Sequence, residues 1–358
     1  MTGMKRRFMS LFLVAVLALT GVTGCANAKT GGGESGSAAE TESSMETVSA
    51  AAAIMLTDQA GREVTLPAPA KRLVSSYYIS TAILIALGCE DRLEGIEMKA
   101  DTRELYKLAA PQLLELPAVG SGKGINVEET AALKPDLVIL PLRLQDSVSS
   151  FEELGIPVLV VNPETQEDFE ACVELLGKAV GQTERSGELL AYYHEQMEKA
   201  QELTKDLDRP KVYLSSGSDY LRTATSKMYQ NDLIEMAGGE NVSAGLTEGY
   251  WQTVSPEQVL AWNPEYLFAV SYAEYSLEDI LSDESLANVQ AVKDNKVMTF
   301  PSQIEPWDYP TPSSVLGVLW LTSKLHPEVY SEEEYLEEAK GFYERFFDVS
   351  VEEELLSK

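Results

Sequence analysis

Histidine is nearly missing from this chain, with 2 among 358 residues. A zinc or manganese ion held by protein side chains normally needs several imidazoles or carboxylates that converge on one point. His194 falls inside a long predicted helix and His326 follows another, and neither has an evident ligating neighbour. We therefore assign structural roles to both, and we expect no metal ligated by the protein and no resident cofactor.

Cysteine is also scarce, with 3 residues and no CxxC pair or zinc-site spacing. Cys89 and Cys172 lie in apolar helical surroundings. That setting favours buried free thiols over a disulfide, although export from the cytoplasm would permit one.

Basic residues are few, at 28 Lys and Arg against 57 Asp and Glu, which gives a formal net charge of −29. A surface of this sign repels nucleic acid and anionic lipid, so we exclude both as main partners. A protein that docks here must offer local positive charge. The hydrophobic content of 44% suffices for a buried core and excludes global disorder.

Signals for catalysis and nucleotide binding are weak as well. The glycine-rich stretch Gly120-Ser121-Gly122-Lys123-Gly124 fits neither GxGxxG nor GxxxxGK[ST]. There is no GxSxG elbow, and neither histidine has an obvious nucleophile beside it. Acids are too plentiful to single out a glycosidase pair. The sequence therefore does not predict an enzyme.

The N-terminus carries an export signal. Three basic residues (Lys5, Arg6 and Arg7) precede an apolar run over 11–19 that is too short to span a bilayer comfortably. This pattern predicts a secretory signal peptide over 1–24. The ending Val22-Thr23-Gly24-Cys25 resembles the bacterial lipobox, in which the cysteine is acylated; the alternative is an ordinary signal peptide with a chance cysteine. The low-complexity stretch over 25–53 predicts a flexible tether.

Beyond the tether, short β-rich runs alternate with amphipathic helical stretches. The predicted strands are 73–75, 136–140, 158–161, 211–214, 266–270 and 296–300. Such alternation is typical of βαβ units, so we predict an α/β fold with mostly parallel sheets.

One internal repeat divides this pattern in two. Residues 126–139 and 255–268 each read as a capped helix, then a proline and an acid, then a buried strand. Asn126 with Glu129, and Ser255 with Gln258, match a capping box. Two copies far apart in one chain predict two lobes of similar build.

A helix over 183–207, with apolar residues at helical spacing and a stop at Arg209-Pro210, lies between the copies. We interpret it as a rigid strut between the lobes. The predicted organisation is a signal peptide over 1–24, a tether over 25–53, an N-terminal lobe over 54–182, a linker helix over 183–209 and a C-terminal lobe over 210–358.

Several motifs resemble those of the class III solute-binding proteins, which serve ABC importers of iron-siderophores, haem and vitamin B12. They are residues 56–64 with 69–74, 126–140, 237–241 and 254–259, and the resemblance extends from 56 to about 348. It implies two Rossmann-like α/β lobes bridged by one long helix, with the ligand in the cleft between them. It also implies an extracytoplasmic protein, anchored to the membrane through Cys25, that binds its ligand as a monomer.

Glu128 and Glu257 occupy the same position in the two repeats, near the start of a helix. An acid there is favoured by the helix dipole in any protein. In the resembled family, one glutamate on each lobe docks into a basic pocket of a two-fold permease. The resemblance therefore implies that Glu128 and Glu257 contact an ABC permease dimer.

Ligands of open α/β sheets bind beyond the carboxyl ends of the strands, where this chain places aromatic and arginine side chains. Rings give broad contact area and arginine pairs with anions. The predicted ligand-binding residues are Tyr77, Tyr78, Arg143, Tyr220, Arg222, Tyr250, Trp251, Tyr272, Trp307 and Tyr309. We expect about half to contact ligand and the rest to pack the lobe rims. The loop over 120–124 is expected at the cleft mouth.

These residues suit a bulky, partly anionic small molecule. We expect an iron-siderophore, haem or corrinoid chelate, bound without chemical change. A compact oxyanion such as molybdate or tungstate is the alternative within the same class. A surface enzyme, or a lipoprotein that binds only another protein, is the rival from a different class.

Overall fold

The computed structural model describes residues 53–301 and 303–357. The predicted signal peptide, Cys25 and nearly all of the predicted tether lie outside the described residues. Within the part described, no helix has the length and apolar character needed to cross a membrane.

Strands are short throughout the described chain and lie mostly where β-branched residues cluster. They are β1 Ile54–Thr57, β2 Glu63–Leu66, β3 Leu73–Ser75, β4 Leu93–Glu97, β5 Ala118–Ser121, β6 Gly124–Ile125, β7 Leu137–Pro141, β8 Val158–Val161, β9 Lys211–Ser215, β10 Arg222–Ala224, β11 Glu240–Asn241, β12 Trp251–Thr253, β13 Tyr266–Ala269 and β14 Val297–Thr299.

Helices separate most of these strands. They are α1 Tyr78–Ala86, α2 Glu104–Ala109, α3 Val127–Ala132, α4 Val148–Glu152, α5 Gln166–Val180, α6 Thr183–Thr204, α7 Tyr229–Met236, α8 Pro256–Trp262, α9 Leu277–Leu281, α10 Gln290–Lys293, α11 Ser314–Leu325, α12 Glu332–Phe347 and α13 Glu353–Ser357.

The N-terminal lobe is built on a six-stranded sheet of order β6-β5-β4-β3-β7-β8. All of its pairs are parallel except β5 with β6, which form an antiparallel edge. Strands β7 and β8, the second of which is at the edge of the sheet, are apolar and fully buried, as expected for strands covered on both faces.

The C-terminal lobe has a six-stranded sheet of order β12-β10-β9-β13-β14, and β11 also pairs with β9. Strands β9, β11, β13 and β14 are parallel, whereas β10 and β12 run antiparallel at one edge. The chain thus has two mostly parallel sheets in two α/β lobes, which confirms the predicted fold class.

Helix α6 lies between the two lobes in sequence and packs against both. Tyr193 shows the arrangement: its ring lies 5.3 Å from that of Phe169 on α5, and its hydroxyl is 2.9 Å from that of Ser314 on α11. The helix ends at Thr204, three residues before the predicted end at 207. Its buried residues therefore face α5 of one lobe and α11 of the other.

The hydrophobic core has three parts. One continuous cluster runs through both lobes, from Leu73 and Phe169 to Phe268 and Phe342. Each of two smaller clusters belongs to one lobe. It lies on the face of that lobe's sheet opposite to the shared cluster. Cys89 and Cys172 lie in the shared cluster as buried free thiols, as predicted.

Candidate ligand-binding cleft

Tyrosine rings from both lobes meet in one cluster. Tyr77 and Tyr78 come from the N-terminal lobe, with centroids 5.7 Å apart. Tyr78 meets Tyr309 of the C-terminal lobe edge to face at 5.9 Å, and Tyr309 stacks on Tyr272 at 5.2 Å. The contact between Tyr78 and Tyr309 therefore joins the lobes at the centre of the cleft.

Strand ends explain where these rings lie. Tyr77 follows β3 and is the N-cap residue of α1, so it sits at a carboxyl end of the parallel sheet. Tyr272 follows β13 at a carboxyl end of the sheet of the second lobe. Tyr309 lies in the segment before α11. A ligand site beyond the strand ends is the expected one for open α/β sheets.

Cavities surround this tyrosine cluster. On the N-terminal side lies one of about 640 Å³, lined by Ser76, Tyr77, Tyr78, Glu97, Met98, Lys99, Arg103, Ser121, Gly122, Lys123 and Arg143. The loop 120–124 thus lies at the cleft, as predicted.

A second cavity, of about 480 Å³, lies between Tyr78, Arg103 and Tyr106 on one side and Tyr272 and Ile304 on the other. Two smaller ones, of about 260 and 240 Å³, share Trp251 and Tyr309. Because neighbouring cavities share residues, the cleft is one divided space and not a set of separate pockets.

Two arginines stack on the tyrosine cluster. The Arg143 guanidinium carbon lies 5.0 Å from the centroid of Tyr77, and that of Arg103 lies 4.2 Å from Tyr78. The Nε of Arg143 donates to the carbonyl oxygen of Gly122 at 2.8 Å. A Cβ at Gly122 would meet the guanidinium at 2.1 Å, so only glycine lets Arg143 lie there.

Carboxyl groups are buried beneath the rings. The hydroxyl of Tyr272 donates to Oδ2 of Asp308 at 2.7 Å, and burial raises the pKa of Asp308 to about 6. Burial likewise raises the pKa of Glu305 to about 7, against the opposing effect of a hydrogen bond from Ser313. Burial also raises the pKa of Tyr78 and Tyr272, so their hydroxyls stay neutral hydrogen-bonding groups.

Seven of the predicted ligand residues besides Arg143 line the cleft cavities. They are Tyr77, Tyr78, Arg222, Tyr250, Trp251, Tyr272 and Tyr309. Tyr250 is the most exposed of the rings, at 49% of its surface.

Two predicted ligand residues lie elsewhere. Trp307 has no exposed surface and its indole nitrogen donates to the hydroxyl of Tyr343 at 3.2 Å, so placing it in the cleft wall was wrong. Its indole packs instead in the shared core, beneath α11. Tyr220 packs edge to face with Tyr275 at 5.5 Å and donates to Asp283, which places it in the rim of the C-terminal lobe.

Sequence reasoning missed the basic residues Lys99 and Arg103 as wall residues, and it placed Lys123 only in the loop expected at the cleft mouth. Lys99 and Arg103 follow β4. Its sequence, LEGIE, contains a glycine and two acids and therefore lacks the apolar run that predicts a buried strand. The signal that could have found them is the parallel pairing of β4 with β3, which brings its carboxyl end beside Tyr77.

The repeat glutamates lie on the surface, away from the cavities. Glu128 and Glu257 are exposed in the first turns of α3 and α8. Asn126 and Ser255 cap these helices by accepting the backbone N–H three residues on, each at 3.2 Å. A hydrogen bond from Ser255 lowers the pKa of Glu257, which keeps this carboxylate charged.

The histidines lie apart from each other and outside the cleft. His194 is exposed and its Nε2 is 3.0 Å from Glu170, whereas His326 is buried with its Nε2 3.2 Å from the carbonyl oxygen of Gly238. Among residues 53–301 and 303–357, no three His, Cys, Asp or Glu side chains converge as metal ligands.

Comparison with known proteins places the fold and the cleft in a family. The family model for periplasmic binding proteins matches residues 73–304. The molybdate-binding protein MolA of Haemophilus influenzae is 28% identical over 329 residues, which cover 84% of this chain and 93% of MolA. The vitamin B12-binding protein of Yersinia pestis is 27% identical over 210 residues, 57% of this chain and 71% of that protein.

A solved structure gives the same answer. MolA with bound molybdate superimposes with a TM-score of 0.74 and 25% identity, covering 84% of this chain and 99% of that one. The chain therefore belongs to the periplasmic binding protein family, and within it to the class III type that the motifs indicated. It is a solute-binding protein of an ABC importer and not an enzyme.

Proposed function

We propose that this protein captures a bulky metal chelate of the iron-siderophore, haem or corrinoid type and delivers it to its permease. The observation that carries the proposal is the ring cluster itself. Tyr77, Tyr78, Tyr272 and Tyr309, with Trp251 beside them, form a divided cleft whose larger cavities are about 480 and 640 Å³.

Size and surface both favour a chelate. Pockets of about 300–1,000 Å³, lined by rings with a few polar groups, are typical of drug-sized ligands. Flat rings supply contact area to an organic shell, while Arg103 and Arg143 pair with its anionic oxygens. A ligand that arrives already chelated also needs no metal ligands from the protein.

A compact oxyanion is the second candidate, because the relative MolA is a molybdate-binding protein. The cationic groups of the cleft suit such an anion. Its small size suits this cleft less well, because an oxyanion leaves most of a 640 Å³ cavity unfilled.

Delivery requires contact with the permease. We propose that Glu128 and Glu257 dock into basic pockets of two permease subunits, because both are exposed at matching places on the two lobes. We also propose that Cys25 is acylated and tethers the protein, as a monomer, to the outer face of the cell membrane.

The test of the ligand is a thermal-shift panel followed by native mass spectrometry of the protein purified from its host. A chelate at a hundred times its dissociation constant should add about 2.7 kcal/mol to the free energy of unfolding. We expect at least one ferric siderophore, haem or corrinoid to do so, and Tyr309→Ala to reduce the shift. If molybdate or tungstate shifts the transition and every chelate fails, the chelate proposal is wrong.

A further inference from the structure

Four cationic side chains line the 640 Å³ cavity on the N-terminal side of the cleft. They are Lys99, Arg103, Lys123 and Arg143. Within the described part of the chain, the only acid that lines this cavity is Glu97. The whole chain carries a net charge of −29, so this wall has the opposite sign to the molecule that surrounds it.

Ion-pair partners for these cations are lacking among the described residues, although Arg143 donates to the carbonyl oxygen of Gly122 and both arginines stack on tyrosine rings. Lysines and arginines elsewhere pair with acids, as Arg62 does with Asp58 at 2.9 Å. Among the described residues, none of the four wall cations has a carboxylate within ion-pair distance. The Nε of Arg103 is buried and has no hydrogen-bond acceptor among residues 53–301 and 303–357, an arrangement that is costly unless something else supplies one.

Glu97 forms no ion pair with the wall within the described chain, and both of its oxygens accept hydrogen bonds from its own lobe. Tyr106 donates to Oε1 at 2.6 Å and Thr81 donates to Oε2 at 2.8 Å. Burial raises the pKa of Glu97, which lowers its tendency to carry charge. The carboxyl group therefore acts as an acceptor for its own lobe.

The backbone between β4 and α2 forms a turn that places both Lys99 and Arg103 along the cavity. Lys99 has a φ of 67°, in the left-handed region that non-glycine residues adopt only where the surroundings fix it. Its carbonyl oxygen accepts the hydroxyl of Thr102 at 2.7 Å and the amide of Thr102 at 3.0 Å. This tight turn carries the chain from Lys99 to Arg103 along one cavity.

The facing side of the cleft is different. Trp251, Tyr250 and Tyr309 supply rings there, and Arg222 shares its cavity with Glu274. A ligand that spans the cleft therefore meets positive charge at one end and mainly aromatic surface at the other.

We infer that the wall formed by Lys99, Arg103, Lys123 and Arg143 binds a ligand group that presents at least two negative charges through oxygen atoms. The inference rests on the proposed solute capture and specifies the ligand. A chelate with free carboxylates or catecholates can supply that group, and so can a free oxyanion.

The experiment uses the mature protein and the double substitution Lys99→Asn with Lys123→Gln. Both lysines are exposed, and asparagine tolerates the left-handed backbone at 99. The matched control is Lys71→Gln with Lys293→Gln, which changes the net charge equally at exposed positions outside the cavities. Titration calorimetry compares ferric citrate, an uncharged ferric trihydroxamate, haem, cyanocobalamin and molybdate at two salt concentrations.

We expect an anionic probe to bind, and the Lys99/Lys123 variant to weaken it about tenfold and reduce its salt dependence. The control should change affinity by less than about twofold. If only the uncharged trihydroxamate or cyanocobalamin binds, and the variant binds it as wild type does, the inference is overturned while solute capture stands. If molybdate alone binds and the variant weakens it, the anionic wall stands and the chelate proposal fails. If no probe binds, both are overturned.

Discussion

In the N-terminal repeat Asp136 accepts the backbone N–H groups of Lys71 and Arg72, the residues that lead into β3, at 2.9 Å each. In the C-terminal repeat Glu265 accepts that of Lys211, at the start of β9, at 3.0 Å. Each acid thus ties its repeat strand, β7 or β13, to the central neighbour strand of the same lobe.

The two repeats agree at the acids that precede β7 and β13. They differ in the residues that follow these strands. Beyond β7 the chain leads to Arg143 and the cationic wall, whereas beyond β13 it leads to Tyr272, which lies over the buried Asp308. The duplicated module therefore supplies the frame and one surface glutamate in each lobe. The cleft is formed by residues that differ between the two repeats.

The largest effect is expected when the charges of both repeat glutamates are reversed, in Glu128→Lys with Glu257→Lys. Like charges placed across an interface cost several kcal/mol, so we expect uptake of the ligand to fall about a hundredfold. Transport into proteoliposomes that hold the permease measures this. The control is ligand affinity, which should not change because neither residue lines the cleft. Undiminished uptake by the double variant would reject the docking role.

Asp308 offers a test specific to the C-terminal side. Its pKa is about 6 in the folded protein, above the usual value of about 4 in an unfolded chain. The folded state thus binds this proton more tightly, so the stability that the proton confers is present below about pH 4 and is lost as pH rises through about 6. In the wild type, the free energy of unfolding should therefore fall between pH 4 and 7. Asp308→Asn should reduce that fall by about 1–3 kcal/mol.

Urea unfolding at a series of pH values measures that decline. The matched control is Glu284→Gln, an exposed acid of the same lobe, which should leave the wild-type profile intact. An Asp308→Asn profile that runs parallel to wild type would contradict the assignment of the raised pKa.

The smallest expected effects come from the acids that tie the strands. Asp136→Ala removes an acceptor for two amides, and Glu265→Ala removes an acceptor for one. Since both sites are exposed, we expect losses of about 1–2 kcal/mol and about 0.5–1 kcal/mol in the free energy of unfolding. Denaturant titration of both variants checks the order. Equal losses would mean that the number of amide partners does not set the contribution.

Much of the frame could be predicted because it depends on local signals. Buried apolar runs located β3, β7, β8, β9, β13 and β14 within a residue or two, and the repeat located the caps at Asn126 and Ser255. Strands such as β10, Arg222–Ala224, were missed because the sequence RTA contains no apolar run.

The cleft could be predicted only in part, because its walls depend on which strands become neighbours. Tyr77 and Tyr272 follow recognisable strands and were found. Lys99 and Arg103 follow β4, which the sequence pattern hides, and Trp307 was misplaced because an aromatic residue after a strand can turn inward as readily as outward. Burial of a large ring is decided by packing partners distant in sequence, here Tyr343 on α12.

The core that runs through both lobes by way of α5, α6 and α11 bears on how the molecule melts. Lobes joined by an isolated rod would lose their structure independently, and a calorimeter would record two heat-absorption peaks. With apolar side chains of both lobes interlocked along the same helices, neither half can unfold without exposing the other's interior. The described chain should therefore unfold in one cooperative step with equal calorimetric and van't Hoff enthalpies, despite its two sheets.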